Sequence, residues 1–230
     1  MLWDGPSCAR GWAAEFGLRL LKSRSRLVMP VKPNHFAMAL DFLLDEFPKE
    51  VRLGNERGCS LRPLEEKDED ALLKFFADIP PTELLFIKHR VTERSVIHDW
   101  CADIDLERNF PLLGCVNEQV VGICTLHQQL GGWKRHIGRV SVHVHPKFRG
   151  LGLARNLVTE IIEVARQSGL ERIEAEFVGE QETAVKMFSH LGFTQLFRLE
   201  DYVKDMQAIS HDYIMMGQNL ITDEEYAGMG

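Results

Sequence analysis

A short glycine-containing segment, RGLGLA at 149–154, lies where one pattern of hydrophobicity gives way to another. Polar residues alternate with valines from Val140 to Val144, and apolar residues recur at helical spacing after Gly152. This pattern predicts a strand, a glycine turn and the start of a helix. Backbone N–H groups and the positive end of a helix dipole converge on such a turn, and glycines let a ligand approach closely. The segment therefore predicts a site for a phosphate-bearing cofactor, with a tight turn that binds no ligand as the alternative.

The spacing of the glycines separates this segment from two other phosphate-binding loops. A dinucleotide-binding loop has the pattern G-x-G-x-x-G, whereas Arg155 stands where its third glycine would be. A P-loop requires Gly-Lys-Ser/Thr, which this sequence lacks. Neither a dinucleotide nor a nucleoside triphosphate is therefore the expected ligand.

Composition narrows the class of protein. The 230 residues carry a net charge of −7, which argues against a nucleic-acid surface and is compatible with basic partners. No segment approaches the roughly 20 apolar residues of a membrane span, so no membrane role is expected. The five cysteines are scattered, which favours reduced thiols in the cytoplasm.

Hydrophobic periodicity predicts an α/β fold with a mixed, mostly antiparallel central sheet flanked by helices. The expected order is one strand, two helices, three strands, a helix, a strand, a helix and two strands. The helices are expected at 66–78, 93–104, 152–167 and 181–191. The strands are expected at 58–64, 112–116, 120–127, before the glycine turn, 172–178, 193–199 and 211–220.

Three regions are expected along the chain: an extension over 1–55, a main domain over 56–222 and a flexible tail over 223–230. The extension contains a predicted docking helix over 35–47, which Pro48 ends. Its first 30 residues are rich in arginine, which fits a targeting peptide, a loosely held helix, or residues upstream of a true start at Met29.

Over 60–220, the element order and two motifs resemble the GNAT family of N-acetyltransferases. The segment RGLGLA, after VSVHVHP, is similar to the family's R/Q-x-x-G-x-G/A loop. The segment AVKMFSHLGF at 184–193 is similar to the family's A-x-x-x-Y-x-x-x-G-F motif. The C-terminal run DYVKDMQAISHDYIMMGQNL resembles the bacterial protein-acetylating branch.

The resemblance implies acetyl-CoA as cosubstrate and an amine as acceptor. The pantetheine arm is expected to pair with the strand, and the pyrophosphate to lie on the loop amides. The implied arm-binding residues are Val142, His143 and Val144. The implied pyrophosphate-binding residues are Arg149, Gly150, Leu151, Gly152, Leu153 and Ala154. The acceptor is expected to be a protein lysine, an N-terminus or a small basic amine, and the oligomeric state, monomer or dimer, stays open.

Transfer of an acetyl group to an amine needs a base, because an amine with a pKa of about 10.4 must lose a proton before it attacks. His143 is the first candidate because it alternates with the valines beside the expected arm. Glu176 on the next strand and His127 are further candidates. Tyr202 is also placed among the catalytic candidates.

Phe188 stands where the family commonly has a tyrosine that protonates the departing thiolate, and Gln181 stands where it often has asparagine. The usual acid is therefore missing. An acyl-CoA-binding sensor without turnover is the alternative to an enzyme.

Four polar residues near the C-terminus, Tyr202, Asp205, His211 and Asp212, form either an acceptor pocket or a solvated turn. The run at 133–136 similarly contacts substrate or CoA, or forms a hairpin tip. His143 and His145 share a strand face, but two ligands without a third do not predict a metal site. Cys124 in an apolar strand is expected in the core rather than as a nucleophile.

Overall fold

A single sheet organises the protein in the computed structural model, which describes residue 40, residues 42–87 and residues 90–220. The eight strands lie in the order β1-β2-β3-β4-β5-β6-β8-β7. They are β1 Lys49–Arg52, β2 Gly58–Pro63, β3 Asn109–Val116, β4 Gln119–His127, β5 Ile137–Val144, β6 Arg172–Val178, β7 Thr194–Lys204 and β8 Ser210–Asn219. Within the described ranges, β5 and β6 are the one parallel pair. The predicted α/β class with a mixed, mostly antiparallel sheet is confirmed.

Besides the helical residues 40 and 42–45, five α-helices with bounds inside the described ranges flank the sheet. They are α1 Glu69–Ala77, α2 Pro81–Leu84, α3 Arg94–Ala102, α4 Leu153–Gln167 and α5 Glu182–His190. Short 3-10 turns precede two of them, at Glu66–Asp68 and Pro146–Phe148. Among these helices, none combines 18 residues with the hydropathy of a membrane span.

The helices cover the two faces of the sheet in two separate cores. Along β3, Leu112 packs into the core that contains α4, whereas Leu113 packs into the core that contains α1 and α3. This alternation follows from the period of two of a strand, and it explains why β3 is buried on both faces. We call the two sides the α4 face and the α1 face. Residues of odd number on β5 lie on the α1 face, because Val140 belongs to the α4-face core.

Two glycines let the first turn of α4 lie close to the sheet. A Cβ atom at Gly114 would meet a Leu153 side-chain carbon at 2.9 Å. A Cβ atom at Gly122 would meet carbons of Leu153 and Leu157 at 3.0 Å each. Both distances are shorter than van der Waals contact, so only glycine permits this approach. The position of the α4 N-terminus is therefore set by two strand residues without side chains.

The structure departs from the predicted elements in three places. Strand β1 is not among the predicted strands, and it pairs with β2 from Lys49 to Arg52, before residue 56. Pro81 opens the short helix α2 rather than ending a helix, as expected of proline at a first helical position. Strand β7 is longer than predicted and contains two register shifts, one between Gln195 and Phe197 and another further along.

Residues 1–39 and 41 of the predicted extension, the last two residues of the predicted main domain (221–222) and the whole predicted tail (223–230) lie outside the described residues. Of the docking helix predicted over 35–47, residue 40 and residues 42–45 are described and are helical. Leu43 in this segment is buried in the α4-face core.

Candidate active site

The glycine segment forms the connection from β5 to α4. Gly150 has a φ of +71° and Gly152 a φ of +84°, a region that residues with a side chain rarely adopt. A Cβ atom at either glycine would meet nothing within 4 Å, so the space in front of the loop is open. Leu153 begins α4, and the first amides of a helix lack intrahelical acceptors. The loop therefore presents N–H groups toward an open space at the positive end of a 15-residue helix.

Two contacts from distant parts of the chain hold this loop. The Gly54 N–H, in the β1–β2 turn, donates to the Leu151 carbonyl oxygen at 2.9 Å. The Leu153 side chain is buried against the sheet, while Ala154 is half-buried. The loop is thus fixed from both ends, which is how an anion-binding loop keeps its amides aligned without the ligand.

Strands β5 and β6 separate immediately before the loop. Their pairing runs from Ile137 with Arg172 to Val140 with Ala175 and ends there. On its other side, β5 stays paired with β4 as far as Val144. The Val121 carbonyl oxygen accepts a hydrogen bond from the His145 N–H at 2.9 Å. Because backbone groups alternate along an antiparallel pair, the N–H and C=O of His143 point toward β4.

The same alternation directs the backbone groups of Val142 and Val144 away from β4, into the gap that β6 has left. Within the described chain, no strand pairs with this side of β5 beyond Val140. Their side chains pack against the α4-face core. This gap offers the kind of strand edge that an extended, amide-containing ligand can pair with.

Arg149 connects the gap to α2. Its guanidinium makes two hydrogen bonds to the Glu83 carboxylate, at 2.7 and 2.6 Å. Its Nε donates to the Val144 carbonyl oxygen at 3.1 Å. The side chain of Arg149, predicted to face the pyrophosphate, is therefore directed toward Glu83 and the strand edge in this structure.

His143 lies on the α1 face and packs against Phe76, with ring centroids 6.3 Å apart. Burial is the main cause that lowers the pKa of His143 to about 4; Glu83 opposes the shift and the Arg149 cation adds to it. A group with such a pKa holds a proton weakly at neutral pH. The environment of His143 thus favours a packing role over that of a strong base.

Glu176 lies on β6 close to where the gap opens. Arg139 donates to its carboxylate at 2.9 Å. The Tyr213 hydroxyl also bonds to Glu176, and burial together with that carboxylate raises the pKa of Tyr213 to about 12. Proton uptake by Glu176 would disturb both interactions. Tyr202 stacks on Tyr213 with centroids 5.9 Å apart, but it is 66% exposed.

A second histidine sits in a chain of hydrogen bonds across three strands. His127 Nδ1 lies 2.7 Å from Asn109 Oδ1, and its Nε2 lies 3.1 Å from Ser141 Oγ. All three side chains lie on the α1 face, since Asn109 and His127 are directly paired in the sheet. Ser141 follows the last residue that pairs with β6.

Phe188 is buried, with 1% of its surface exposed. Its ring packs edge-on against Phe177 and Phe193, each at 4.9 Å between centroids. The position that carries an acidic hydroxyl in the resemblance is therefore part of an aromatic cluster here. Gln181 caps the same region by accepting from the Val178 N–H at 3.0 Å.

The polar residues near the C-terminus interact mainly with one another. His211 Nδ1 lies 2.6 Å from a Glu180 oxygen, and its Nε2 lies 3.3 Å from Asp205. Hydrogen bonds to Glu180 and then Asp205 raise the pKa of His211. Asp212 is paired with Arg198. These residues border a cavity of about 370 Å³, whose lining comprises Gly179, Glu180, Glu182, Arg198, Asp201, Ser210, His211 and Asp212.

Four residues around the gap were not among the sequence predictions: Glu83, Asn109, Ser141 and Tyr213. Glu83 belongs to the helix that Pro81 opens, which was not predicted. Tyr213 lies on β8 opposite Val178 and diagonally from Glu176; alternation along β8 indicates its face but not this register. Among the described residues, no group of three or more His, Cys, Asp or Glu side chains is arranged to hold a metal ion.

These features fit acetyl-CoA on chemical grounds. The open space before Gly150 and Gly152 leaves room for a pyrophosphate against helix-end amides. The edge of β5 at Val142 and Val144, with which no strand of the described chain pairs and at which Arg149 Nε donates to the Val144 oxygen, offers backbone partners for the amide groups of a pantetheine arm.

Comparison with known proteins agrees with this geometry. The family model "Acetyltransferase (GNAT) family" matches residues 71–193. The L-methionine sulfoximine/L-methionine sulfone acetyltransferase of Salmonella typhimurium is 31% identical over 78 residues, which are 32% of this chain and 46% of the relative. The L-amino acid N-acyltransferase MnaT of Escherichia coli is 31% identical over 77 residues, or 31% of this chain and 45% of the relative. The chain thus spans less than half the length of these curated relatives.

Solved structures show the same fold. The GNAT domain of S. lividans PAT superposes with a TM-score of 0.63 at 18% identity, covering 74% of this chain and 96% of that one. A structure of yncA from Salmonella typhimurium, solved with its cofactor acetyl-CoA, superposes with a TM-score of 0.62 at 20% identity, covering 71% and 95%.

Proposed function

The chain belongs to the GNAT family of acetyltransferases, and from this premise we propose that it transfers an acetyl group from acetyl-CoA directly to a primary amine. The observation that carries the proposal is the free edge of β5 leading into the loop with two glycines of positive φ. The acceptor is a protein lysine, an N-terminus or a small amine. The names of the two curated relatives add free amino acids and their analogues to the amines worth testing.

The residues of the gap each have a place in this reaction. The amides at Gly150 to Ala154 bind the pyrophosphate, and the backbone of Val142 and Val144 pairs with the pantetheine arm. Acetyl-CoA supplies an activated acetyl group on sulfur. Because the corresponding thiol has a pKa of about 8.5, the thiolate leaves with little help from an acid. The protein's own task is therefore to position the amine and to remove its proton.

Binding of acetyl-CoA is tested by calorimetry with Gly152→Glu. The new carboxylate lies in the open space before the helix amides and repels the pyrophosphate, so we expect affinity to fall about tenfold or more, which is about 1.4 kcal/mol. Gly169→Glu is the matched control. Gly169 has a φ of +73° and open space around its Cβ position, and it follows the far end of α4, so it adds the same charge and similar strain.

Equal affinity in the Gly152→Glu and Gly169→Glu proteins would contradict the loop assignment. No binding by the unsubstituted protein would contradict the proposed function itself.

A sensor that binds acetyl-CoA without turnover is the second candidate, because Phe188 supplies no hydroxyl. The release of free CoA thiol distinguishes the two functions. We expect release with at least one of four acceptors: spermidine, Nα-acetyl-lysine amide, a peptide beginning with alanine, and L-methionine sulfone. Binding without release across this panel would favour the sensor.

A cytoplasmic location is part of the proposal. It is supported by four buried thiols, at Cys59, Cys101, Cys115 and Cys124, which form no disulfide among the residues described.

A further inference from the structure

Asn109, His127 and Ser141 form a hydrogen-bonded row across β3, β4 and β5. Asn109 Oδ1 is assigned to the side facing the ring, and an amide oxygen can only accept, so His127 Nδ1 carries the hydrogen. In a neutral imidazole, Nε2 is then the acceptor, and it faces the Ser141 hydroxyl at 3.1 Å. The arrangement has a hydroxyl, a base and a group that orients the base.

The row ends where the reacting atoms are expected. If the pyrophosphate lies on the loop after Val144, the arm runs from Val144 back toward Val142. The thioester end then points toward Ser141, the residue that follows the last β5–β6 pair. The Ser141 side chain lies on the α1 face, one residue from the proposed arm-binding edge.

The other candidate bases near the gap are engaged in ways that do not suit this role. His143 packs against Phe76, and burial makes it a weak base. Glu176 accepts from the Arg139 guanidinium and from the Tyr213 hydroxyl. Proton uptake by Glu176 would leave a guanidinium facing a neutral carboxyl group.

We propose that Ser141 and His127 form a proton relay for the acceptor amine, with Asn109 holding the imidazole in the required tautomer. The proposal rests on the acetyl transfer described above. Ser141 is the catalytic residue that touches the amine, and His127 and Asn109 are positioning residues that act through it.

The proton steps balance. The ammonium gives a proton to Ser141 Oγ while the serine hydroxyl proton passes to His127 Nε2, which leaves a neutral amine and an imidazolium. The amine nitrogen forms a bond to the acetyl carbon as the carbon–sulfur bond breaks, and sulfur leaves with the electron pair. The thiolate takes the second amine proton, and His127 returns the first proton to water.

The test measures kcat/KM against pH for Ser141→Ala and His127→Gln, using the acceptor of the four-member panel that gives the highest rate. General-base catalysis contributes about 10² to 10⁴ in rate, so we expect a loss of about a hundredfold or more in each variant. The affinity for acetyl-CoA, measured by calorimetry, stays unchanged. His98→Gln is the matched control, because His98 is an exposed imidazole whose Nδ1 also bonds to an oxygen, that of Glu69 on α1, at 2.9 Å.

Substitutions of Asn109 distinguish the relay from a purely structural role, because only the relay predicts a shift of the acidic limb of the pH profile. In Asn109→Asp a carboxylate stabilises the imidazolium, so the acidic limb of the pH profile moves to higher pH. In Asn109→Leu the stabilising dipole is lost, and the limb moves to lower pH. Opposite shifts support the relay.

Two results would overturn the relay while leaving acetyl transfer in place: a His127→Gln protein with an unchanged rate, or Asn109 variants with unchanged pH profiles. A protein that binds acetyl-CoA but acetylates none of the panel would overturn acetyl transfer and the relay together.

Discussion

Phe188 shows how one residue changes the demands on the rest of the site. Its ring is buried between Phe177 and Phe193, so it contributes packing and offers no proton. The departing thiolate, with a pKa of about 8.5, is stable enough to leave without a strong acid. In the proposed acetyl transfer, removal of a proton from the amine is then the step that most needs the protein's side chains.

The His211 ring contacts residues from three other parts of the chain. Its ring bonds to Glu180 after β6 and to Asp205 before β8, and Phe86 after α2 contacts it edge-on at 5.1 Å. Hydrogen bonds to these carboxylates raise the pKa of His211 above its ordinary value of 6.5. The hydrogen bond from His211 lowers the pKa of Glu180 below 4.5.

The pH dependence of stability follows from these two directions. The raised pKa of His211 contributes stability that is fully present below pH 6.5 and is lost as pH rises through the folded-state pKa. The lowered pKa of Glu180 contributes stability that is present above pH 4.5 and is lost as pH falls. We therefore expect the urea midpoint to be lower at pH 8.5 than at pH 5.5, and this difference to be smaller in His211→Gln.

His190→Gln is the control for this prediction, because His190 is an exposed imidazole at the end of α5. It should keep the full difference between the two midpoints. An identical difference in the His211→Gln and unsubstituted proteins would show that this imidazole does not couple folding to pH.

Helix α4 lies close to the sheet because Gly114 on β3 and Gly122 on β4 have no side chains. Leu153 occupies the space that side chains at Gly114 and Gly122 would take. The helix therefore starts close to the sheet, and its first amides lie next to the end of β5. A shift of α4 away from the sheet would move the amides proposed to bind the pyrophosphate relative to the strand edge at Val142 and Val144.

Gly122→Ala tests this packing. Its Cβ atom would lie 3.0 Å from carbons of both Leu153 and Leu157. We therefore expect the free energy of unfolding to fall by about 1–3 kcal/mol. We also expect weaker binding of acetyl-CoA, because the first turn of α4 must move. Urea denaturation and calorimetry measure the two effects.

Gly58→Ala is the matched control, because Gly58 also lies in a strand and its Cβ position has nothing within 4 Å. It should unfold like the unsubstituted protein. If Gly122→Ala behaved in the same way, the close approach of α4 would not depend on glycine.

Strand register explains why the hydrogen-bonded row could not be predicted. The two-residue turn at Asn117 and Glu118 alone would align Val116 with Gln119 and continue in that register. A bulge between Gly114 and Cys115 shifts the pairing by one residue, so that Asn109 faces His127. Without the bulge, Asn109 would be paired with Leu126. The His127 side chain would then lie on the opposite face of the sheet from the Asn109 side chain.

At the scale of the molecule, most of the order of elements was predictable because those elements carry a strong local signal, whereas the short elements β1 and α2 were not predicted. Helix α4 has regular apolar spacing, and β6 was predicted with the bounds 172–178 that the structure shows. The glycine segment was predictable for the same reason. Contacts between distant residues, such as Glu83 with Arg149, depend on how helices pack, which local sequence patterns do not predict.

The site also draws on most of the described chain. The β1–β2 turn holds the loop through Gly54, α2 contributes Glu83, and β3 to β6 supply the gap and the hydrogen-bonded row. Residues that meet there are separated by up to about 100 positions in the sequence, for example Gly54 and Leu151. The site is therefore complete only when the sheet has assembled.

The hydrogen bond from Arg149 to the Val144 oxygen has a consequence for ligand affinity. An open strand edge inside a sheet invites association with other chains, and the Arg149 side chain covers part of it. In the proposed complex, an amide N–H that arrives at the Val144 oxygen shares this acceptor with the Arg149 Nε or displaces it. The net gain of the proposed arm at Val144 is therefore smaller than it would be at an oxygen without a partner.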